Sequence, residues 1–297
     1  MNDERLNTID NHWSKQYQQQ KMRTRWWDSP HIIRHINKNI CGEELDGWNS
    51  GPIKLLKQVL PEGYILESAL SIGCGTGSKE MNLLEQNLVK HFTCFELSTV
   101  AIEKGRQKAQ EKGLSERITF VYGDFFQSSE RQAKYDMVFW DNSLHHMPDA
   151  TEAVHVSYEI LNDGGIFFCN DFVGKSKFQW SDMELAIVNG VRVLLPDSIF
   201  EYNSKTLARN VYKMSIEQMN AIDPSEAADS ASIIPAIQNT FTEPFIVPTG
   251  GLIYHLCLDD ILINIPENSA LLDYLLKLDD ETIQMGMLHY AFALAIK

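Results

Sequence analysis

The pattern of apolar and polar positions along the chain changes near residue 64. Residues 1–60 are predicted to be helical, because Ser29 is a typical N-cap, Pro30 suits a first helical position, and the stretch SGPIKLLKQVL runs up to Pro61. From residue 64 onward, short runs rich in β-branched and aromatic residues alternate with helical stretches of about a dozen residues. The second region is therefore predicted to contain strands and helices in alternation.

This alternation predicts a doubly wound α/β fold. The apolar runs predict strands at 67–72, 91–97, 117–124, 134–141 and 165–171, and the intervening stretches predict helices at 78–89, 98–113 and 149–161. A spacing of roughly 20 to 25 residues from one strand to the next fits right-handed crossovers between parallel strands. Residues 172–240 are predicted to be mainly helical. The remaining predictions are strands at 244–250 and 289–297 and amphipathic helices at 252–265 and 269–285.

Composition narrows the function classes. The 297 residues are 44% hydrophobic and 22% charged, as in an ordinary soluble globular protein, and the formal net charge is −14. Nucleic-acid-binding proteins usually carry a basic patch, and the densest basic stretch here, KMRTRWW, is short, so a nucleic-acid partner is not expected. Five scattered cysteines without a CxxC pair predict neither a disulfide framework nor a structural zinc site. The polar N-terminus and the lack of a membrane-length apolar run predict a cytoplasmic protein without a membrane partner.

The stretch ALSIGCGTGSKE, residues 69–80, carries the densest glycine pattern of the chain. Gly73, Gly75 and Gly77 follow a predicted strand and precede a predicted helix. Glycine permits positive φ and lets a ligand approach the backbone, so this arrangement is typical of a nucleotide-binding turn. On this motif alone, a glycine-rich connection without a ligand is the alternative.

Acidic residues at the ends of the next two strands favour a ligand. Glu96 stands 19 residues after Gly77, where a carboxylate can accept hydrogen bonds from both hydroxyls of a ribose. Asp124 ends the third predicted strand beside Phe125, where a carboxylate can accept from an adenine amino group. Dinucleotide sites use G-x-G-x-x-G, so the different spacing here, G-x-G-x-G, predicts a looser turn that suits a nucleoside without a phosphate.

Together these motifs resemble those of the class I S-adenosylmethionine-dependent methyltransferases. The resemblance covers about residues 65–171 in the expected order, through LSIGCGTG, CFELS, YGDFF, YDMVFWDNSLHHMPD and LNDGGIFFCNDF. It implies a Rossmann-like, mostly parallel seven-stranded sheet in which the C-terminal FALAIK is the antiparallel last strand. The predicted parts are an N-terminal helical lid (1–60), an S-adenosylmethionine-binding core (61–171), a helical insertion over the acceptor site (172–240) and a C-terminal completion of the sheet (241–297), with the added helices forming a cap.

The resemblance also implies a set of residues that bind S-adenosylmethionine and its product S-adenosylhomocysteine. Glu96 would hold the ribose, and Asp124 with Phe125 would frame the adenine. The full set is Ser71, Gly73, Cys74, Gly75, Gly77, Glu96, Leu97, Gly123, Asp124, Phe125, Asp141 and Asn142. One position departs from the family pattern, because an acidic residue commonly stands where this chain has Ser71. The usual carboxylate partner of the cofactor's amino group is therefore missing at that position.

The carboxyl end of the fourth predicted strand carries the candidate catalytic residues. Methyl transfer from a sulfonium mainly requires proximity and alignment, and a base is needed only when the acceptor must lose a proton. His145 corresponds to a position that faces the methyl-transfer cavity in several relatives, and it is the first candidate for an acid/base or acceptor-positioning residue. Asp171 and Asp141 are further candidates. One of the two adjacent histidines is expected to be structural. If His145 is the catalytic residue, the structural one is His146.

Other polar and aromatic features leave alternatives open. No metal site is predicted, because adjacent histidines generally point in different directions and neither has a nearby partner at metal-ligand spacing. Tyr254 and His255 could reach the cavity from its far end, although core packing is the favoured interpretation for Tyr254. The cluster RTRWW belongs either to a lid over the cofactor or to the docking of the N-terminal helices; it comprises Arg23, Arg25, Trp26 and Trp27.

The leading hypothesis is methyl transfer to a small molecule, at oxygen rather than nitrogen. A candidate base beside the methyl position and helical insertions that can enclose an acceptor both favour it. One alternative is methylation of a protein or RNA, which the acidic charge and the lack of an N/D-P-P-Y/F tetrapeptide after the fourth strand disfavour for nucleic-acid amino groups. The other is a scaffold subunit that binds the cofactor without catalysis. The sequence makes no prediction of the oligomeric state.

Overall fold

Seven strands form the central sheet of the protein, which is described by a computed structural model over residues 8–10, 12–15 and 25–297. The strands are β1 (Leu66–Ile72), β2 (Val89–Glu96), β3 (Ile118–Tyr122), β4 (Tyr135–Asp141), β5 (Leu161–Phe172), β8 (Phe245–Gly250) and β9 (Tyr290–Ile296). Two short strands, β6 (Glu201–Tyr202) and β7 (Lys205–Thr206), form a separate ribbon.

The strand order in the large sheet is β3-β2-β1-β4-β5-β9-β8. Neighbouring strands from β1 to β5 pair in parallel, while β9 runs antiparallel to both β5 and β8. The predicted fold class, a mostly parallel seven-stranded sheet with an antiparallel last strand, is therefore confirmed. The order reverses between β1 and β4, and in doubly wound sheets the crevice at such a reversal is where ligands bind.

Helices cover both faces of this sheet. They are α1 (Pro30–Cys41), α2 (Ser50–Val59), α3 (Ser78–Glu85), α4 (Thr99–Glu111), α5 (Ala150–Ile160), α6 (Asp182–Leu194), α7 (Ile216–Ile222), α8 (Ile233–Thr240) and α9 (Ala270–Gln284). One hydrophobic core contains residues of α1 to α4 and α9, and a second core contains residues of α5 and α8. The start of α1 follows the prediction, because Ser29 Oγ accepts from the backbone N–H of Ile32 and Pro30 is the first helical residue.

The predicted helix at 252–265 is wrong. The segment instead contains a π-helical turn, Ile253–Cys257, and a 3₁₀ turn, Leu262–Asn264. The reason is tertiary: the buried carboxylate of Asp279 in α9 accepts hydrogen bonds from three backbone N–H groups at the start of the segment. Arg192 of α6 donates to the carbonyl of Cys257 at 2.6 Å. Side chains from two other helices thus compete with regular helical hydrogen bonding here.

The added segments are only partly described. Residues 8–10 and 12–15 are helical, whereas the other residues before 25 in the predicted helical region, among them Arg23, lie outside the described residues. Residues 172–240, predicted to be mainly helical, contain three α-helices and also the ribbon of β6 and β7, which was not predicted. Among the described residues, no helix has the length and apolar character needed to cross a membrane.

Gly105 and Gly190 offer a test of the packing around the glycine-rich turn. A Cβ on Gly105 of α4 would lie 2.7 Å from Cζ of Phe120 and 2.9 Å from the carbonyl oxygen of Thr76, whereas a Cβ on the exposed Gly190 of α6 would contact no other described residue within 4 Å. We expect Gly105→Ala to lower the free energy of unfolding by about 1–3 kcal/mol through overpacking. Gly190→Ala should raise it by about 0.5–1 kcal/mol through helix propensity. Urea denaturation measures both, and equal stabilisation by the two substitutions would contradict this packing.

Candidate active site

The glycine-rich turn connects β1 to α3 at the carboxyl edge of the sheet. Gly73, Gly75 and Gly77 all have positive φ, at 71°, 58° and 67°, as the motif predicts. The turn also packs closely, because a Cβ on Gly73 would lie 2.8 Å from Cβ of Ser143 in the loop that leaves β4. The turn and this loop therefore meet with little space between them, and only glycine fits at the point of contact.

Glu96 fixes this turn from the end of β2. Its Oε2 accepts a hydrogen bond from the N–H of Gly75 at 2.8 Å. Its Oε1 accepts from the N–H groups of Leu97 and Ser98, at 2.9 and 2.8 Å. Burial raises the pKa of the Glu96 carboxyl, and these three N–H groups partly offset that effect. Because backbone donors bind both oxygens, the Glu96 carboxylate is held in one orientation.

An open cavity of about 810 Å³ lies at this edge. Most of the residues predicted from the resemblance line it: Gly73, Gly75, Glu96, Leu97, Gly123, Asp124, Phe125 and Asn142. Four predicted residues do not: Ser71, Cys74, Gly77 and Asp141. The cavity also receives side chains that were not predicted from the sequence, namely Ile9 and Trp13 from the N-terminal segment and Ser225 from the insertion.

The end of β3 shapes one end of the cavity. Asp124 is held by two hydrogen bonds, since Oδ1 accepts from the N–H of Phe126 at 3.0 Å and Oδ2 accepts from Nε2 of Gln127 at 3.2 Å. The ring of Phe125 is buried edge-on against Phe95, with 5.2 Å between the ring centroids. Gly123 has a φ of 142°, and a Cβ there would meet no described atom within 4 Å. This end of the cavity is therefore open, apolar on one side and carboxylate-bearing on another.

Ser71 is joined to a carboxylate from a different element. Its hydroxyl donates to Oε1 of Glu80 in α3 at 2.6 Å, and Glu80 is almost fully buried. The other oxygen of Glu80 has no hydrogen-bond partner among the described residues. Burial raises the pKa of Glu80 to about 7. The acidic group that the family places on β1 is thus absent there, and a carboxyl group reaches Ser71 from the following helix.

Asp141 connects β4 to helices on either side. Its carboxylate accepts from Nζ of Lys79 at 2.6 Å, from Nδ2 of Asn142 at 3.0 Å, from Nε1 of Trp48 at 3.3 Å and from Nδ2 of Asn49. A carboxylate has about four lone-pair positions, so four donors saturate it. This arrangement fits a residue that positions the loop after β4, and it leaves no free lone pair for the catalytic role predicted as one alternative.

His145 and Asp171 form a buried pair between β4 and β5. The Nδ1–H of His145 donates to Oδ1 of Asp171 at 2.5 Å. Burial lowers the pKa of His145, but Asp171 and then Glu226 oppose it, and the net pKa is raised. Burial alone would raise the pKa of Asp171, whereas His145 and two backbone N–H groups bring it below its usual value. The two side chains thus stabilise each other in the orientation that turns Nε2 of His145 away from Asp171.

His146 lies next to this pair and faces the cavity. The centroids of the two histidine rings are 4.0 Å apart and the rings are tilted by 42°. The two side chains therefore lie side by side, whereas adjacent histidines were expected to point in different directions. His146 lines the cavity, whereas His145 stands behind it. The edge of Trp13 contacts the ring of His146, with 5.2 Å between centroids. Burial and then His145 lower the pKa of His146.

Glu226 lies beside the two histidines and was not predicted from the sequence. Its Oε1 lies 3.5 Å from Nε2 of His145, and the segment around it is tied to the same loop, because the N–H of Ala228 donates to the carbonyl of His145 at 2.8 Å. Glu226 lies in the insertion, far from the β4 motif along the chain. The sequence carried no spacing signal for it, since only the path of the insertion brings it to β4.

The aromatic and basic cluster before α1 mainly docks this segment in the described structure. Trp26 is buried against Trp48, Tyr254 and Tyr290, and Arg25 forms an ion pair with Asp259 at 2.6 Å. Tyr254 is fully buried, and its hydroxyl donates to the carbonyl of Thr249. His255 contributes to this part of the core through its contact with His289, whereas Trp27 is half exposed.

Comparison with known proteins places this site in a family context. A family model described as "Methyltransferase domain" matches residues 66–222. The chain is 30% identical over 104 residues to 27-O-demethylrifamycin SV methyltransferase of Amycolatopsis mediterranei (strain S699), covering 35% of this chain and 38% of that protein. It is 31% identical over 166 residues to a probable chloroplastic tocopherol O-methyltransferase of Oryza sativa subsp. japonica, covering 54% and 45%. The chain thus aligns with less than two thirds of the length of these curated relatives.

A solved structure supports the fold over nearly the whole chain. Geranyl diphosphate C-methyltransferase from Streptomyces coelicolor A3(2) superposes with a TM-score of 0.56, covering 98% of this chain and 97% of that one. The sequence identity is 13%, so the likeness concerns the fold alone.

The buried carboxyl group of Glu80 makes stability depend on pH. Its folded-state pKa of about 7 lies above the ordinary value of 4.5, so the folded state holds the proton more tightly than the unfolded state. Between about pH 4.5 and pH 7, rising pH therefore destabilises the fold through this group, by up to about 3 kcal/mol. The amide of a Glu80→Gln variant does not titrate in this range, so the variant does not lose stability through this group as the pH rises. We expect the unfolding free energy of Glu80→Gln minus that of the wild type to increase from pH 5 to pH 8 in urea denaturation; parallel pH profiles would contradict the assignment.

Proposed function

We propose a function from one premise: the chain belongs to the family of S-adenosylmethionine-dependent methyltransferase domains, whose model it matches over more than half of its length. The class I resemblance in its motifs is thereby confirmed. The proposal is that the protein transfers the methyl group of S-adenosylmethionine to a small molecule, at an oxygen atom. The observation that carries it is the cavity at the carboxyl edge of the sheet, which is lined by the nucleoside-type residues and by His146, with His145 packed behind His146.

The residues of the cavity fit an adenosine-containing cofactor. The cavity is open to solvent and lined by both apolar and polar residues, as ligand sites commonly are. Glu96 would hold the ribose hydroxyls, and Asp124 with Phe125 would frame the adenine. Gly123 leaves open space where any other residue would place a Cβ. When bound, S-adenosylmethionine supplies a methyl group already activated on a sulfonium.

The residues of this chain then have three tasks. The glycine turn and Glu96 orient the donor, because their positions are fixed by the hydrogen bonds of Glu96 to the turn. Trp13 and Ile9 cover the cavity and limit the access of water, which is the role proposed for the N-terminal lid. His145, which Asp171 holds behind His146, is the proposed base, and its Nε2 would accept a proton from the acceptor. A positioned base of this kind contributes roughly 10²- to 10⁴-fold.

The choice of oxygen rests on this base and on the relatives. A carboxylate-oriented imidazole is useful when a hydroxyl must lose its proton during transfer. Two of the relatives are named as O-methyltransferases or as acting on a 27-O-demethyl compound, while others are named as C-methyltransferases of sterols or quinones. These names favour a small molecule over a protein or RNA acceptor. Detection of turnover, as opposed to cofactor binding alone, separates the enzyme from a scaffold subunit.

Glu96 provides the test of cofactor binding. We expect Glu96→Ala to weaken S-adenosylmethionine binding by about 2–4 kcal/mol, since the ribose loses a charge-assisted hydrogen bond and the glycine turn loses the acceptor of the Gly75 N–H. Glu96→Gln, which keeps one acceptor oxygen, should lose less. Isothermal titration calorimetry measures both, with Glu103→Gln on the exposed side of α4 as the matched control. Unchanged affinity in a folded Glu96→Ala variant would remove Glu96 from the cofactor site.

His145 provides the test of the catalytic step. Once an acceptor is found by screening hydroxyl-bearing small molecules, His145→Ala should lower turnover by about 10²- to 10⁴-fold, while S-adenosylmethionine affinity stays within a few-fold. The surface variant His155→Ala, on the outer face of α5, should retain full turnover. Turnover near the wild-type rate in His145→Ala would show that the acceptor proton leaves by another route.

A further inference from the structure

Two imidazoles and a carboxylate converge beside the cavity. One ligand atom from each of His145, His146 and Glu226 lies within 4.8 Å of the other two. The Nε2 of His145 is 3.5 Å from Oε1 of Glu226. Two ligands on a tetrahedral zinc ion, each at about 2.0–2.2 Å from the metal, are separated by about 3.4 Å. The 3.5 Å between Nε2 of His145 and Oε1 of Glu226 therefore matches the distance between two ligands on one zinc ion.

Both rings are arranged to offer Nε2 as a ligand. The Nδ1–H of His145 donates to Asp171. The hydroxyl of Ser225 donates its single hydrogen to Oδ1 of Asp223 at 2.6 Å, so at its 3.2 Å contact with His146 it accepts from the Nδ1–H of that ring. A neutral imidazole with its proton on Nδ1 has its lone pair on Nε2. Metal-binding histidines characteristically have such an outer partner, which fixes the tautomer and the ring orientation.

The surrounding charge favours a cation. Asp171, Asp223 and Glu226 place three carboxyl groups around the two imidazoles, and Asp171 and Asp223 are almost completely buried. Oδ2 of Asp223 is buried without a hydrogen-bond partner in the part of the chain that the structure describes. Buried carboxylates are costly unless they are paired or lie near a metal ion. A divalent cation would offset the excess negative charge of the group.

We propose that His145, His146 and Glu226 bind one divalent cation of the zinc or cobalt type. Two nitrogen ligands and one carboxylate suit these metals better than magnesium or calcium, which prefer oxygen ligands. Three protein ligands leave a fourth position for water or for an oxygen of another molecule. The inference goes beyond the proposed function: a cation on Nε2 of His145 takes the lone pair that otherwise accepts the proton, and it would polarise an acceptor oxygen instead.

Cobalt is the probe, because its visible ligand-field absorption reports its ligands directly. The full-length protein is stripped with a chelator, dialysed and titrated with Co²⁺ without cofactor or acceptor. We expect a saturable band at one cobalt per chain that Zn²⁺ abolishes by displacement. Glu226→Gln and His146→Ala should weaken cobalt binding by more than the roughly 10- to 100-fold that loss of an outer partner costs. Ser225→Ala should weaken it within that range, and His91→Ala, at the opposite end of the sheet, should bind as the wild type does.

The outcomes separate this inference from the proposed function. A wild type without a saturable band, or folded Glu226→Gln and His146→Ala variants that bind cobalt as tightly as the wild type, would overturn the metal site. Thermal unfolding of the metal-free variants shows whether each is folded. If one ligand variant does not fold, the cobalt affinity of Ser225→Ala still tests the site. S-adenosylmethionine affinity is measured separately by calorimetry. Normal cofactor binding without cobalt binding would reject the metal site and leave the proposed function standing.

Discussion

The carboxylate of Asp171 holds together the part of the structure on which the site depends. It is completely buried, and four donors satisfy it: the N–H groups of Ser143, Leu144 and Phe172, and the imidazole of His145. These bonds attach the loop that leaves β4 to the end of β5. A buried charge with this many charge-assisted bonds is costly to disturb, because removal of one partner leaves the charge uncompensated. The direction of the loop, and with it the place of His145, follows from this one group.

Three other carboxyl groups extend the same principle along the carboxyl edge. Glu96 binds the N–H of Gly75 in the glycine turn, Asp141 binds Lys79 and the side chains of Trp48 and Asn49, and Glu80 binds Ser71. Each joins two different elements, and the contacts of Asp141 span 62 to 93 residues of the chain. Of these three acids, Glu96 lines the cavity, whereas Asp141 and Glu80 lie behind its wall. Their negative charge complements the cationic sulfonium of S-adenosylmethionine.

The added segments complete the cavity rather than merely covering the core. The N-terminal residues Ile9 and Trp13 and the insertion residue Ser225 all line it. Glu226 approaches His145 from the same insertion. In folds of this type the sheet supplies the donor site and variable segments supply the acceptor side. The segments outside the shared core are therefore where we propose that the choice of acceptor is made.

The sequence by itself determined the sheet, the glycine turn and the residues at the strand ends. Those features are local: hydrophobic runs set the strands, positive φ requires glycine at Gly73, Gly75 and Gly77, and parallel strands bring Glu96 and Asp124 to one edge. Tertiary structure alone decided what the segment after β8 became, because Asp279 and Arg192 reach its backbone from other helices. It likewise decided that Glu80 meets Ser71 and that Glu226 meets His145. Such contacts depend on how distant elements pack, and neither periodicity nor spacing along one chain encodes that distance.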